Sequence, residues 1–193
     1  VFSTYIGSGE ARGIALDSAG NVVITGVTPD ENFEVTDNAL QPTFNDGVFD
    51  GIVLKLSSDG SEVLYSTFLG GTGWDELIDV VVDAADNIYV TGWTDSVDYP
   101  VTFNPAQQSF GGDQDMVVTK ILATGGLFYS TYLGGDRREK GVDLAIDDAG
   151  SLAIVGISGS DAFPTTAGSL QPERASNAGT DATITKLNPD GSI

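Results

Sequence analysis

Lys55, Lys120 and Lys186 are three of only eight basic residues in a chain of 193. They hold the same place in three similar stretches, DGIVLKL, DMVVTKI and DATITKL. A recurring amine can neutralise a buried carboxylate or serve as a base or nucleophile. Recurrence favours the first role, because a catalytic lysine has no need to be repeated. Asp50, Asp115 and Asp181 each lie five positions upstream of a lysine, which places acid and amine on opposite faces of an extended strand. The partner acid must therefore come from another strand. Asp17, Asp83 and Asp147, which close GIALD, DVVVD and DLAID, are the candidates. The same three acids could instead ring one mouth of a channel, which would suit cations, or simply turn the chain.

Other side chains offer weaker patterns. GGDQD (Gly111 to Asp115) and TDSVD (Thr94 to Asp98) space Asp113, Asp115, Asp95 and Asp98 as oxygen ligands for calcium would be spaced. Ordinary acidic turns read the same way, and neither run follows the EF-hand pattern. Trp74 and Trp93, with Tyr99 close to the latter, are candidates for stacking on sugar rings. The alternative is that each Trp covers the edge of a neighbouring structural unit. Arg137, Arg138 and Lys140 form the one basic cluster, suited to an acidic surface on another copy or to plain solvation. Acid pairs of the kind glycosidases use are too plentiful for one to stand out.

Composition excludes more than it assigns. With no histidine and no cysteine, Ser-His-Asp and Cys-His hydrolysis, thiolate metal sites and disulfides are unavailable. A metal, if used, is a hard cation held by oxygen, calcium first, and no other cofactor is expected. A formal net charge of -20 repels nucleic acid and anionic membrane. No apolar run is long enough to span a bilayer. The chain opens on Val1 with no basic, apolar leader, which suits a fragment or a processed segment.

These residues are positioned by a repeat. VFSTYIGS, LYSTFLGG and FYSTYLGG begin at Val1, Leu64 and Phe128, with Ser3, Ser66 and Ser130 spaced 63 and 64 residues apart. The units are residues 1–63, 64–127 and 128–193, and periodicity on this scale indicates stacked supersecondary units. Each unit has four short β-branched or aromatic stretches bounded by Gly, Asp, Asn and Ser, and none keeps helical periodicity. Turns such as SAGN and AADN join two of them as tight hairpins. The reading is an all-β chain of β-propeller blades, three four-stranded antiparallel repeats of about 64 residues.

YSTYLGG, GIALDSAGNVVITG, DAFPTTAGSLQP and DATITKLNPDGS together resemble the SBBP (seven-bladed β-propeller) repeats of bacterial secreted and surface proteins. The likeness runs over essentially the whole chain. The third unit follows the DFPTT segment through Asp161, Phe163, Pro164, Thr165 and Thr166, whereas the first has NFEVT and lacks the proline. The resemblance implies a propeller outside a bacterial cell, with the GIALD strand innermost and YSTYLGG outermost. It implies no catalytic residues.

In that phase the third unit lacks its own outer strand and the first residues are a spare one. A longer propeller, a strand-exchanged dimer and an open head-to-tail polymer all satisfy this arrangement. The leading functional expectation is a non-enzymatic structural or adhesive module. A glycan- or peptide-binding module using the variable loops near 27–49, 93–112 and 157–179 is the second. A carboxylate-dependent polysaccharide hydrolase or lyase is the third.

Overall fold

A computed structural model describes residues 1–45, 47–102, 106–175 and 179–193. Sheet 1 contains β1 (Glu10–Leu16), β2 (Val22–Thr28), β3 (Asp50–Leu56) and β4 (Val63–Leu69). Sheet 2 contains β5 (Asp75–Val82), β6 (Ile88–Thr94), β7 (Asp115–Ile121) and β8 (Leu127–Leu133). Sheet 3 contains β9 (Glu139–Ile146), β10 (Leu152–Ser158) and β11 (Asp181–Leu187). Every pairing between these strands is antiparallel, isolated parallel bridges join Phe49 to Trp74 and Gln114 to Arg138, and no helix occurs among the described residues.

The sheets are out of phase with the sequence repeats. The YST motif of one repeat pairs with the third strand of the repeat before it, setting Leu54 opposite Ser66 and Thr119 opposite Ser130. Sheet 3 has no such motif after β11, so two sheets have four strands and the last has three. Residues 1–7 carry the first copy of the motif but form no strand. They lie beside sheet 1, with the Phe2 ring on Gly60 as Tyr65 is on Gly125 and Tyr129 on Gly191. The three sheets do not close into a ring.

Local chemistry explains the strand boundaries. Asp17 ends β1 and turns the chain: its Oδ1 accepts from Ala19 N (3.0 Å) and Asn21 N (2.8 Å). Asp83 and Asp147 do the same for Ala85 and Asn87, and for Ala149 and Ser151. Such side-chain caps let Asp replace a backbone acceptor in a tight turn. The first strand of each sheet also carries a bulge, at Ala11/Gly13, at Leu77/Asp79 and opposite Val155/Gly156. The second strand answers with glycine: a Cβ at Gly26, Gly92 or Gly156 would sit 2.0, 1.9 or 2.4 Å from the carbonyl oxygen of Glu10, Glu76 or Lys140. No larger residue fits against that bulge.

The core lies between sheets. Strand β5 packs on β1, β2 and β3, and β9 packs on β5, β6 and β7. Val23, Val53, Val80, Val90 and Val117 form the heart of the first junction, and Met116, Val118, Leu144, Ile154 and Leu187 that of the second. Removing one such side chain from water stabilises by about 1.5–3 kcal/mol, so each sheet depends on its neighbour.

Candidate functional site

The structure brings Lys55 Nζ to 2.5 Å from Asp17 Oδ2 and Lys186 Nζ to 2.8 Å from Asp147 Oδ2. Burial opposes the Asp17 charge, but Lys55 and the Asn21 side-chain and backbone N–H groups outweigh it and lower its pKa to about 2. Lys186 and the Ser151 N–H lower that of Asp147. Lys120 is not brought to Asp83. Its ammonium sits 4.8 Å from the centre of the Tyr89 ring and 4.6 Å from that of Phe128, close enough for cation–π attraction. Asp83 instead accepts from the Tyr89 hydroxyl (3.0 Å) and Asn87 Nδ2 (2.8 Å). Each of these acids is therefore held in a turn at the end of its own strand.

Asp95, Asp98, Asp113 and Asp115 do not converge. Asp95 Oδ1 accepts from Trp74 N, and Asp98 Oδ1 from Thr72 N (2.9 Å) and Thr72 Oγ1 (3.0 Å). These two acids cap the backbone of the loop between β4 and β5. Asp113 N donates to Arg137 O (3.0 Å), and Asp115 is buried at the head of β7. Among the described residues no three acidic side chains gather around a point that would hold an ion.

Trp74 packs against Phe49 (ring centres 4.8 Å apart) and Trp93 (5.4 Å), remaining 40% exposed. Trp93 Nε1 donates to Glu76 Oε2 (3.0 Å), whose other oxygen meets Arg12 Nε at 2.6 Å. This chain of contacts ties β1 to the middle of sheet 2. Tyr99 does not belong with the exposed Trp74 and half-buried Trp93. It is buried in the first junction, its hydroxyl 3.2 Å from Thr119 Oγ1, because the loop after β6 folds back over β7. Arg137 and Arg138 serve through their backbones, accepting from Asp113, Gln114 and Gly159 N–H groups.

Sequence reasoning passed over the acid pairs: Asp79 on β5 meets Asp143 on β9, where burial and that neighbour raise the Asp79 value, and two more pairs stand at strand heads. Asp50 at the head of β3 meets Asp75 at the head of β5, and Asp115 at the head of β7 meets Glu139 at the head of β9. All four are buried. A signal was present: GGTGWD and GGDRRE both place an acid four residues after the second glycine. In the structure that glycine's N–H donates back to the acid, Gly71 to Asp75 Oδ2 (2.8 Å) and Gly135 to Glu139 Oε2 (2.7 Å).

The two ends of the stack are also distinctive. Ile14 is 69% exposed and Ile184 is 80% exposed, while their counterparts inside, Val80 and Val118, are at 2% and 0%. Beside Ile184 a groove of about 500 Å³ runs along the free edge of β11, lined by Phe163, Thr166, Leu170, Gln171 and Ile193. In sheets 1 and 2 the matching groove holds the fourth strand. Thr36 N and Thr102 N donate to Ser66 O (3.1 Å) and Ser130 O (3.0 Å). Gln41 and Gln107 offer their Oε1 atoms to Gly70 N (3.0 Å) and Gly134 N (2.9 Å). Gln171 is already set the same way: its Nε2 donates to Glu173 O (3.1 Å) as Gln41 Nε2 does to Thr43 O (3.1 Å).

No protein-family model matches this chain, and no curated protein matches it.

Proposed function

We propose that this chain is a non-enzymatic structural module that works by sheet stacking and strand pairing with further sheets of its own kind. The carrying observation is that positions buried at both internal junctions are exposed at both ends, as Ile14 and Ile184 show. An apolar face of this sort is a contact surface. The free edge of β11 is the second half of the same surface, since an unpaired strand beside an apolar groove is a template for another strand. The motif that fills the equivalent grooves is YST-aromatic-Leu-Gly, and residues 2–7, FSTYIG, repeat it while forming no strand of their own.

In this reading the sheets are propeller blades, as the resemblance to bacterial surface repeats implies. The first strands face a central axis, and residues 2–7 of one copy complete sheet 3 of another. The habitat that fits is a bacterial exterior. Absolute mass across a dilution series tests it. A sharp species at about twice 20.0 kDa supports two chains exchanging strands. Species that grow with concentration support a head-to-tail polymer. A folded, monodisperse 20.0 kDa chain at every concentration would remove self-assembly.

A further inference from the structure

Asp50 is fully buried, yet only one of its carboxylate oxygens has a partner. Oδ2 accepts from Asn45 N (3.0 Å) and Gln41 Nε2 (3.2 Å), while Oδ1 has no donor among the described residues. That bare oxygen is turned toward sheet 2. Asp50 Oδ1 and Asp75 Oδ2 each lie 2.8 Å from the point a Cβ on Gly70 would occupy, so they are at most twice that distance apart. Asp75, by contrast, is saturated. Its Oδ1 accepts from Thr94 Oγ1, and its Oδ2 from Gly71 N (2.8 Å) and Ser96 Oγ (2.8 Å).

The second junction repeats the asymmetry with different residues. Asp115 Oδ2 accepts from Gly111 N (2.9 Å) and Gln107 Nε2 (3.1 Å), and its buried Oδ1 is bare. Glu139 accepts from Ser158 Oγ (2.7 Å) at one oxygen and Gly135 N (2.7 Å) at the other. In each case a carboxylate provided with donors for its charge stands beside a carboxyl that lacks one donor. A buried oxygen left without a donor is costly, and two adjacent buried charges are costlier still. A proton on the bare oxygen removes the second charge and needs no extra space.

Among the described residues the surroundings of the first pair do not supply a countercharge. Asp95 and Asp98, on the loop after β6, are the other charged groups facing the first pair, and both are acids. Tyr99 and Tyr132 are the remaining titratable groups nearby, raised by burial and hence neutral. None of the four paired acids is ion-paired with a described lysine or arginine. Burial, the largest cause, raises Asp50 and Asp115 to about 7 and Asp75 to about 6; neighbouring acids add to the rise and the hydrogen-bond donors offset part of it.

We propose that a proton is bound at the head of each sheet junction, on Asp50 Oδ1 in the first and Asp115 Oδ1 in the second, and that losing these protons loosens the stack. The folded chain then binds protons that the unfolded chain, with ordinary values near 3.8, has already released. Stability is complete below that ordinary value and falls as pH rises through about 7, at roughly tenfold in the folding constant per pair per pH unit.

Asp50→Asn and Asp115→Asn place an amide N–H where the acid O–H stands. In urea melts from about pH 5 to about pH 8, the wild-type chain is expected to weaken more steeply up to neutrality than the double variant, in which the raised Asp75 and Asp79 still titrate. Above neutrality the variant should be the more stable protein. Carboxyl carbon NMR titration of the wild type tests the same point without a variant, with midpoints for Asp50 and Asp115 expected near 7. Midpoints near 3.8 would overturn the proposal. So would saturable stabilisation by calcium above neutrality that both variants abolish, since a cation would then occupy the proton's place.

Discussion

Lys55 and Asp17 form an ion pair whose side chains are only 16% and 2% exposed, whereas the equivalent Lys186 and Asp147 are 62% and 42% exposed. The two pairs have the same chemistry. They differ because sheet 2 closes over the first and no sheet covers the second. Removing one partner of a buried pair leaves an uncompensated charge and costs several kcal/mol, while an exposed pair contributes about 0–1 kcal/mol. Asp17→Asn should therefore destabilise by about 3 kcal/mol and Asp147→Asn by less than about 1 kcal/mol, read from urea midpoints.

The same pair gives a low-pH limit. The Asp17 value is lowered, so its contribution is present above the ordinary value of 3.8 and is lost as pH falls through about 2. Acid unfolding of the wild type should steepen in that window. In Asp17→Asn this component should vanish, leaving a shallower acid limb in far-UV circular dichroism.

Asp86 joins two turns across a junction. Its carboxylate accepts from Ser18 N (2.8 Å) and Ser18 Oγ (2.8 Å), and it is the one described non-glycine residue at positive φ, 62°. Asp and Asn tolerate that conformation better than Ala. Asp86→Ala should cost about 2 kcal/mol, from conformational strain and two lost hydrogen bonds. Asp86→Asn should cost less than half as much, so chemical denaturation of the two variants separates strain from bonding.

Glycines in this chain are not equivalent. A Cβ at Gly92 would lie 1.9 Å from the Glu76 carbonyl oxygen, but one at Gly126 meets nothing closer than 3.9 Å. Gly92→Ala is expected to lose more than about 3 kcal/mol, or to fail to fold, because the bulge in β5 cannot retreat. Gly126→Ala should be neutral or gain up to about 1 kcal/mol through the unfolded state. Thermal melts of the two variants decide this.

End and interior positions should likewise part company. Val118→Asp puts a charge into a dry junction and is expected to prevent folding. Ile184→Asp, at the same place in sheet 3, should leave circular dichroism unchanged while reducing any self-association seen by light scattering.

The repeat, the strand content and the turns were legible in the sequence because they rest on local chemistry. Alternating apolar residues, Asp-led turns and the glycine within each second strand act within a few residues of themselves, and they recur three times. The sequence alone also established that imidazole and thiol chemistry are absent. That each YST motif pairs with the repeat before it came from the resemblance and not from local chemistry, because strand pairing joins residues from different repeats, as Leu54 and Ser66 do. The sequence could not show that Lys120 rests between two aromatic rings while its counterparts are ion-paired. That choice depends on Tyr89 reaching Asp83 first. The acid pairs were hidden for the same reason. Asp50 and Asp75 stand 25 residues apart in a chain with 28 acids, and only the stacking of sheet 2 on sheet 1 removes water from both and leaves one oxygen without a donor.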